Sequence, residues 1–370
     1  METIRLTTVV GARPQFIKAA ALSRAFAAHN AAGRGPAIAE YLVHTGQHYD
    51  HAMSQTFFDE LGIAEPDVNL GVGSGSHGTQ TARMLEGLER ILAARRPDAV
   101  VVYGDTNSTL AGGLAAAKLG VPVVHVEAGL RSFDKAMPEE LNRVLTDHLS
   151  NLLLCPTRAA VDNLRRESLI RGVVLAGDVM YDSLLHHREQ ALRAAPPLAG
   201  LTPGGYLLAT VHRAANTDDG ERLKAILSGL GAMARTAPVV LVLHPRTRRA
   251  MESLGLAVPE GVRAEPPLPY LAMVRLQAEA LGVVTDSGGM QKEAFFLGRP
   301  CLTLREETEW TETVDLGANT LAGTDNAAMT GWLAAVLRGE RTLPGDARPY
   351  GDGRAAERMV EAVVEHFCRG

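Results

Sequence analysis

The chain of 370 residues holds only three cysteines, Cys155, Cys301 and Cys368, and none has a metal-binding or redox spacing. That argues against a disulfide scaffold, a zinc ribbon or thioredoxin-like chemistry. The three read instead as small apolar residues in a reducing compartment. Long runs of one charge are missing as well. Lysine and arginine number 37 against 42 acids, a net charge of −5, with no basic block, so no nucleic-acid partner is expected. No apolar run reaches the ~18 residues of a membrane span. The start METIRLTTVV enters a strand directly, without a charged and then apolar leader. The expectation is a soluble, cytoplasmic protein with no membrane partner. Twelve histidines include no H-E-x-x-H and no paired spacing, so no metal site is expected.

What is present is globular: 46% hydrophobic and 21% charged residues. The length exceeds one ordinary core, which predicts two domains. Strands and helices alternate. A β-branched strand runs over Ile4–Val10, breaks at Gly11 and enters a helix at Pro14. A second strand covers Tyr41–His44, and residues 76–96 place Met84, Leu85, Leu88, Ile91 and Leu92 at helical spacing. Ala99–Tyr103 is a buried strand, followed by a helix to Leu119, a strand to Val126, and strands at Asn151–Cys155 and Gly172–Ala176. Such alternation implies a parallel sheet with right-handed crossovers.

The stretch ALRAAPPLAGLTPGG, Ala191 to Gly205, marks a domain boundary nearby. A second series then begins: YLLATVHR, VVLVLHPR, ALGVVTDSGG and PCLTL. Ala355–Phe367 is an amphipathic helix with Met359, Val360, Val363 and Val364 as its apolar stripe. An internal echo links the halves, because VVYGDT leads through a helix to KLGVPVV, and GVVTDS leads through a helix to FLGRPCL. The expected fold is α/β, two Rossmann-like domains facing across a cleft. The expected bounds are 1–178 for the first domain, 179–354 for the second, and 355–370 for a helix returning to the first.

The chain is organised around VPVVHVEAGLRSFDKAMPEELNR, residues 121–143. Glu127 leaves an apolar strand at its C-terminal end, the usual place for a ligand crevice in an α/β sheet. Pro138 starts a helix on which Glu139 and Arg143, four apart, share a face. A plain ion pair with acids in the first helical turn would use the same residues. Arg13 and Lys18 lie at the start of the first helix, where cations oppose the dipole, so an anion held there with backbone N–H groups is expected. Solvated surface cations are the alternative. TDSGGMQKE places Ser287, Gly288 and Gly289 at a helix start suited to phosphate oxygens, with Glu293 two turns on as an acceptor for ribose hydroxyls. An ordinary capped helix is the alternative. His212 ends another strand beside Arg213, placed for phosphate binding or general acid work. GSGSHG, residues 73–78, matches G-x-G-x-x-G only formally, since it is not in the first βα turn and follows a poor strand.

Read together, GARPQFIK, TGQHYD, VYGDTNS, HVEAGLRS, PEELNR, TVHRAANT, HPRT, TDSGGMQKEA and REETEW resemble the successive motifs of the non-hydrolysing UDP-N-acetylglucosamine 2-epimerases, over nearly the whole chain. The resemblance implies a glycosyltransferase-B fold, a homodimer, a UDP-sugar substrate interconverted between UDP-GlcNAc and UDP-ManNAc, and no cofactor. It places Asp105, Glu127, Glu139, Arg143 and His212 at catalytic positions. Arg13, Lys18, His212, Ser287, Gly288, Gly289 and Glu293 fall at UDP-binding positions. Ala215 departs from the family's HRxEN, and TEWTE, Thr308 to Glu312, from its TERPE. TGQHYD and GVGSGSHG resemble a sub-branch that includes epimerases of UDP-2,3-diacetamido-glucuronic acid. Gln47, Arg213 and His244 resemble parts of a site for a second, activating UDP-GlcNAc found in some relatives, whereas Asp50 does not.

Overall fold

The computed structural model describes residues 3–47, 65–341 and 347–368. Asp50 therefore lies outside the described residues. The chain separates into two compact units, one of residues 1–185 with 348–370 and one of residues 186–347, and the division falls inside the helix Val179–Arg193.

The first unit is built on a parallel sheet of seven described strands: β1 Ile4–Val10, β2 Ile38–His44, β3 Val68–Asn69, β4 Ala99–Tyr103, β5 Val123–Val126, β6 Leu152–Cys155 and β7 Val173–Leu175. Their order is β3-β2-β1-β4-β5-β6-β7. The central strands are β-branched and buried on both faces, as a parallel sheet covered by helices requires. Val9, Val43, Val100 and Val102 pack with Met84, Leu88 and Leu92 of the helix His77–Arg95. β2 is longer than Tyr41–His44 because it pairs with β1 from Ile4↔Ile38 onward. The helix Ala355–Cys368 belongs to this unit, and its first N–H groups are capped by Asp182, which accepts from Ala355 N at 3.1 Å and Ala356 N at 2.7 Å.

The second unit repeats the plan with β8 Leu207–Val211, β9 Val239–Leu243, β10 Val262–Glu265, β11 Gly282–Thr285, β12 Cys301–Thr303 and β13 Asn319–Leu321, ordered β10-β9-β8-β11-β12-β13. Both sheets follow the doubly wound order in which the first strand lies between the second and the fourth. The sequence echo falls at matching places: β4 pairs in parallel with β5, and β11 with β12. The edge strands β3, β10 and β13 were not expected from the sequence, and their short, partly polar sequences explain why. Cys155 and Cys301 are buried, and burial pushes the Cys301 thiol up to about 12. Cys368 is exposed at the end of its helix, unlike the apolar role expected of it.

Asp182 meets two N–H groups of a helix 173 residues away in sequence. Asp182→Ala should therefore lower stability by about 1 kcal/mol, the ordinary cost of losing an N-cap. Urea unfolding measures this, and an unchanged midpoint would show that the cap is replaced by water.

Candidate active site

In each sheet the strand order reverses beside the first strand, so the chain leaves adjacent strand ends in opposite directions and opens a crevice there. In the first unit those ends carry Gly11–Ala12 after β1 and Gly104–Asp105 after β4. Gln15 ties them together: its Oε1 accepts from Gly11 N at 2.8 Å and Ala12 N at 3.0 Å, and its Nε2 donates to Tyr103 O at 2.7 Å. The N–H groups of Gly11 and Ala12 are thus engaged by a side chain. Lys18 is buried and its ammonium is paired with Glu127. Arg13 lies half-exposed at the helix start.

Glu127 follows β5 with a φ of +73°, a left-handed conformation that costs a non-glycine residue on the order of 1 kcal/mol and persists only where its surroundings enforce it. Behind it Asp147 is fully buried. One of its oxygens lies 2.7 Å from His125 Nδ1, and the other accepts from Gly129 N at 3.1 Å and Arg131 Nη1 at 2.7 Å. Arg131 also forks onto Glu167 through two bonds of 2.7 Å. Burial alone would raise the Asp147 carboxyl, but His125 and Arg131 outweigh it and hold it below the usual carboxylate range. Gly129 has a φ of +83°, and a Cβ there would lie 2.4 Å from Ala160 O, so only glycine fits the turn.

Arg143 donates to Asp105 Oδ2 at 2.6 Å and to Glu140 Oε2 at 2.5 Å. Glu140 is the buried acid of the first turn of its helix and also accepts from Ser132 N and Phe133 N, each at 2.9 Å. Burial raises its carboxyl, but the Ser132 N–H and the Arg143 guanidinium more than reverse this. Glu139 is exposed in the first turn. The ion pair with Arg143 is therefore made three residues apart by Glu140, not four apart by Glu139. The Asp105 carbonyl is held by Asn142 Nδ2 at 2.9 Å. Gln47 accepts from Ser108 N at 3.1 Å, beside the same strand end. GSGSHG leads into the helix His77–Arg95, whose cap is Ser76, and Gln80 of that helix donates back to Gly73 O at 2.9 Å.

In the second unit Asp286 takes the corresponding place after β11. It is buried and accepts from His212 N at 3.0 Å, Arg213 N at 2.9 Å and Asn216 Nδ2 at 3.1 Å. His212 Nδ1 lies 3.2 Å from Asp286 Oδ1, which sets the ring with Nδ1–H toward the carboxylate. Burial would raise Asp286, but these donors hold it low. His244 stacks at 5.4 Å from His212, and burial, with the nearby His212, lowers its pKa. Ala215 is exposed, so the departure from HRxEN falls beside the asparagine that makes the tie. Ser287 caps the helix Gly288–Phe296. Gly288 sits so close to Glu309 Oε1 that a Cβ would lie 2.5 Å away. Trp310, one of the two departures from TERPE with Thr311, takes the Lys292 ammonium over its ring at 3.9 Å. Glu293 is buried and accepts from Gln277 Nε2 at 2.6 Å.

Sequence reasoning missed Gln15, His125, Arg131, Glu140, Asn142, Asp147 and Asp286. All but Asp147 lie inside the quoted motifs, and Asp286 is also the second Asp of the internal echo. Among the described residues no group of His, Cys, Asp and Glu is placed to hold a metal, and no helix is long and apolar enough to cross a membrane.

Residues 30–364 match the family model described as UDP-N-acetylglucosamine 2-epimerase. The Pseudomonas aeruginosa UDP-2,3-diacetamido-2,3-dideoxy-D-glucuronate 2-epimerase is 47% identical over 366 residues, covering 98% of this chain and 100% of that one. The crystal structure of Methanocaldococcus jannaschii UDP-GlcNAc 2-epimerase in complex with UDP-GlcNAc and UDP is similar at a TM-score of 0.88 and 38% identity, covering 98% of this chain and 100% of that one. That of Neisseria meningitidis UDP-GlcNAc 2-epimerase bound to UDP-GlcNAc gives a TM-score of 0.85 at 30% identity, covering 98% and 100%.

The depressed Asp147 fixes the sign of an acid effect. Its contribution is present in full above the unfolded carboxylate value of about 4 and is lost as pH falls through the lower folded value. Asp147→Asn should cost about 3 kcal/mol at neutral pH, because it removes one partner of a buried charge pair, and should flatten the loss of stability below about pH 4. Urea midpoints at a series of pH values measure both. A variant with the wild-type acid profile would remove Asp147 from this account.

Proposed function

This chain belongs to the UDP-N-acetylglucosamine 2-epimerase family, and from that premise we propose that it inverts C2 of a UDP-2-acetamido sugar, interconverting UDP-GlcNAc and UDP-ManNAc without hydrolysis. The observation that carries the reading is the pair of carboxylates at neighbouring strand ends, Asp105 and Glu127, each paired with a buried cation, Arg143 and Lys18. Three acids in one segment set would repel a diphosphate if binding were their sole task. In this fold two of them instead have a buried cation beside them.

The hydrogen on C2 is not next to a carbonyl, so simple deprotonation is too difficult. Elimination resolves this. A carboxylate takes the C2 proton, the C1–O bond to UDP breaks, and a C1=C2 glycal forms with UDP as the leaving group. Re-addition returns UDP to C1 while a group on the opposite face delivers a proton to C2. In this assignment Asp105, Glu127 and Glu139 handle protons, Arg143 orients Asp105, and Arg13, Lys18, His212, Ser287, Gly288, Gly289 and Glu293 hold UDP. Oxidation and re-reduction would need a nicotinamide fingerprint, and GSGSHG follows the edge strand β3 instead of opening the first βα turn. The same reading extends to a homodimer and to a second UDP-GlcNAc as activator near Gln47, Arg213 or His244. Support for a second nucleotide comes from the M. jannaschii relative, crystallised with both UDP-GlcNAc and UDP.

Pure protein incubated with UDP-GlcNAc in D2O should give UDP-ManNAc carrying deuterium at C2, with label also in the substrate recovered at equilibrium. NMR of the anomeric protons and mass spectrometry read both. An epimerised product without mass gain would rule out elimination. Sugar transfer to an acceptor with C2 untouched would mark a glycosyltransferase.

Glu139 is exposed, so its replacement disturbs no buried contact. Glu139→Gln should lower turnover at least ~100-fold while leaving UDP affinity and the unfolding midpoint near wild type. Glu140→Gln should instead lower stability. Near-normal turnover of the Glu139 variant would remove it from the proton-handling set.

A further inference from the structure

We propose that His125 is the positioning residue for both strand-end acids, Asp105 and Glu127, and that it acts as a doubly protonated imidazolium. The proposal rests on the reading of those two acids as proton-handling groups.

His125 stands on β5 with no exposed surface. Its Nδ1 is 2.7 Å from Asp147 Oδ1 and its Nε2 is 2.8 Å from Gly104 O. A peptide carbonyl only accepts hydrogen bonds, and so does an ionised carboxylate. Asp147 is kept ionised by the guanidinium of Arg131 and the N–H of Gly129 on its other oxygen. Neither ring nitrogen therefore faces a donor. A neutral ring would set one lone pair against an acceptor with no solvent exposure, so the ring donates from both sides. The charges then balance: His125 and Arg131 against Asp147 and Glu167.

Each of the two bonds controls one acid. Nε2–H holds the carbonyl of Gly104, the residue before Asp105, while the Gly104 N–H donates to Val126 O at 3.0 Å and the Asp105 carbonyl is held by Asn142. The turn is fixed at three backbone groups, and the Asp105 carboxylate is left to meet Arg143. Gly104 also lies against the other acid: a Cβ there would be 3.1 Å from Glu127 Oε2 and 3.3 Å from Lys18 Nζ. Nδ1–H acts on Glu127 through Asp147. The same carboxylate that grips His125, two residues before Glu127, grips the N–H of Gly129, two residues after it. The left-handed φ of Glu127 is thus clamped from both sides by one buried anion.

The test has two arms. In wild-type protein with 15N-labelled histidine, the His125 ring, assigned through its backbone, should show both nitrogens protonated at neutral pH. A ring protonated on one nitrogen overturns the imidazolium, and this arm needs no variant to fold. His125→Gln keeps one donor and should, well below its melting temperature, lose about 100-fold in kcat with KM within about threefold of wild type. A merely structural role would leave the folded fraction turning over at the wild-type rate. A folded variant with near-normal kcat, or one in which KM alone changes, overturns the positioning role. If wild-type protein epimerises no UDP-2-acetamido sugar, the reading beneath falls and the positioning role falls with it, whereas the ring spectrum still decides the state of His125.

Discussion

One buried carboxylate organises the first unit. Asp147 sits on the helix Pro138–Leu149 with no exposure, and its two oxygens reach a strand side chain, a turn N–H and a guanidinium on three different segments. Burying an anion is costly unless its lone pairs are met, and here each oxygen is met. The consequence is mechanical. β5, the Glu127–Gly129 turn, the Arg131 segment and the helix cannot move independently, and the strained Glu127 backbone persists because its neighbours on both sides are tied to the same group.

The second unit solves the same problem with a different residue. Its sheet has the same strand order, and the crevice again opens where the chain leaves β8 and β11. There Asp286 draws in the His212 and Arg213 N–H groups and the Asn216 amide. In the first unit the equivalent tie between β1 and β4 is Gln15. A neutral amide suffices there because the acid after β4, Asp105, is turned to Arg143 instead. The echo between VVYGDT and GVVTDS thus marks one topological position at which two acids have separate partners.

Much of the fold was legible from the sequence. β-branched runs bounded by glycine, with helices between them, are local patterns, and the strands Ile4–Val10 and Ala99–Tyr103 lie where those patterns set them. The edge strands were not legible, since Val68–Asn69 and Asn319–Leu321 exist because a neighbour offers a ladder to join, not because of their own residues. Within the site, the segments were visible but the pairings were not. Glu139 and Arg143 satisfy the four-residue rule on a helix. A single residue turns a side chain by about 100°, and the packed face belongs to Glu140.

The sequence by itself determined the class of fold and the set of segments that carry chemistry, because strand period, helix period and turn residues act over a few positions. Tertiary structure decided which charge answers which. Lys18 and Glu127 are 109 residues apart and Arg143 and Asp105 are 38 apart. A carboxylate has no preference between cations until packing sets the distance and strips away water, and then the Coulomb term selects the nearest buried partner. That selection made Lys18 a partner of Glu127, gave Arg143 to Asp105 and Glu140, and left Glu139 in solvent.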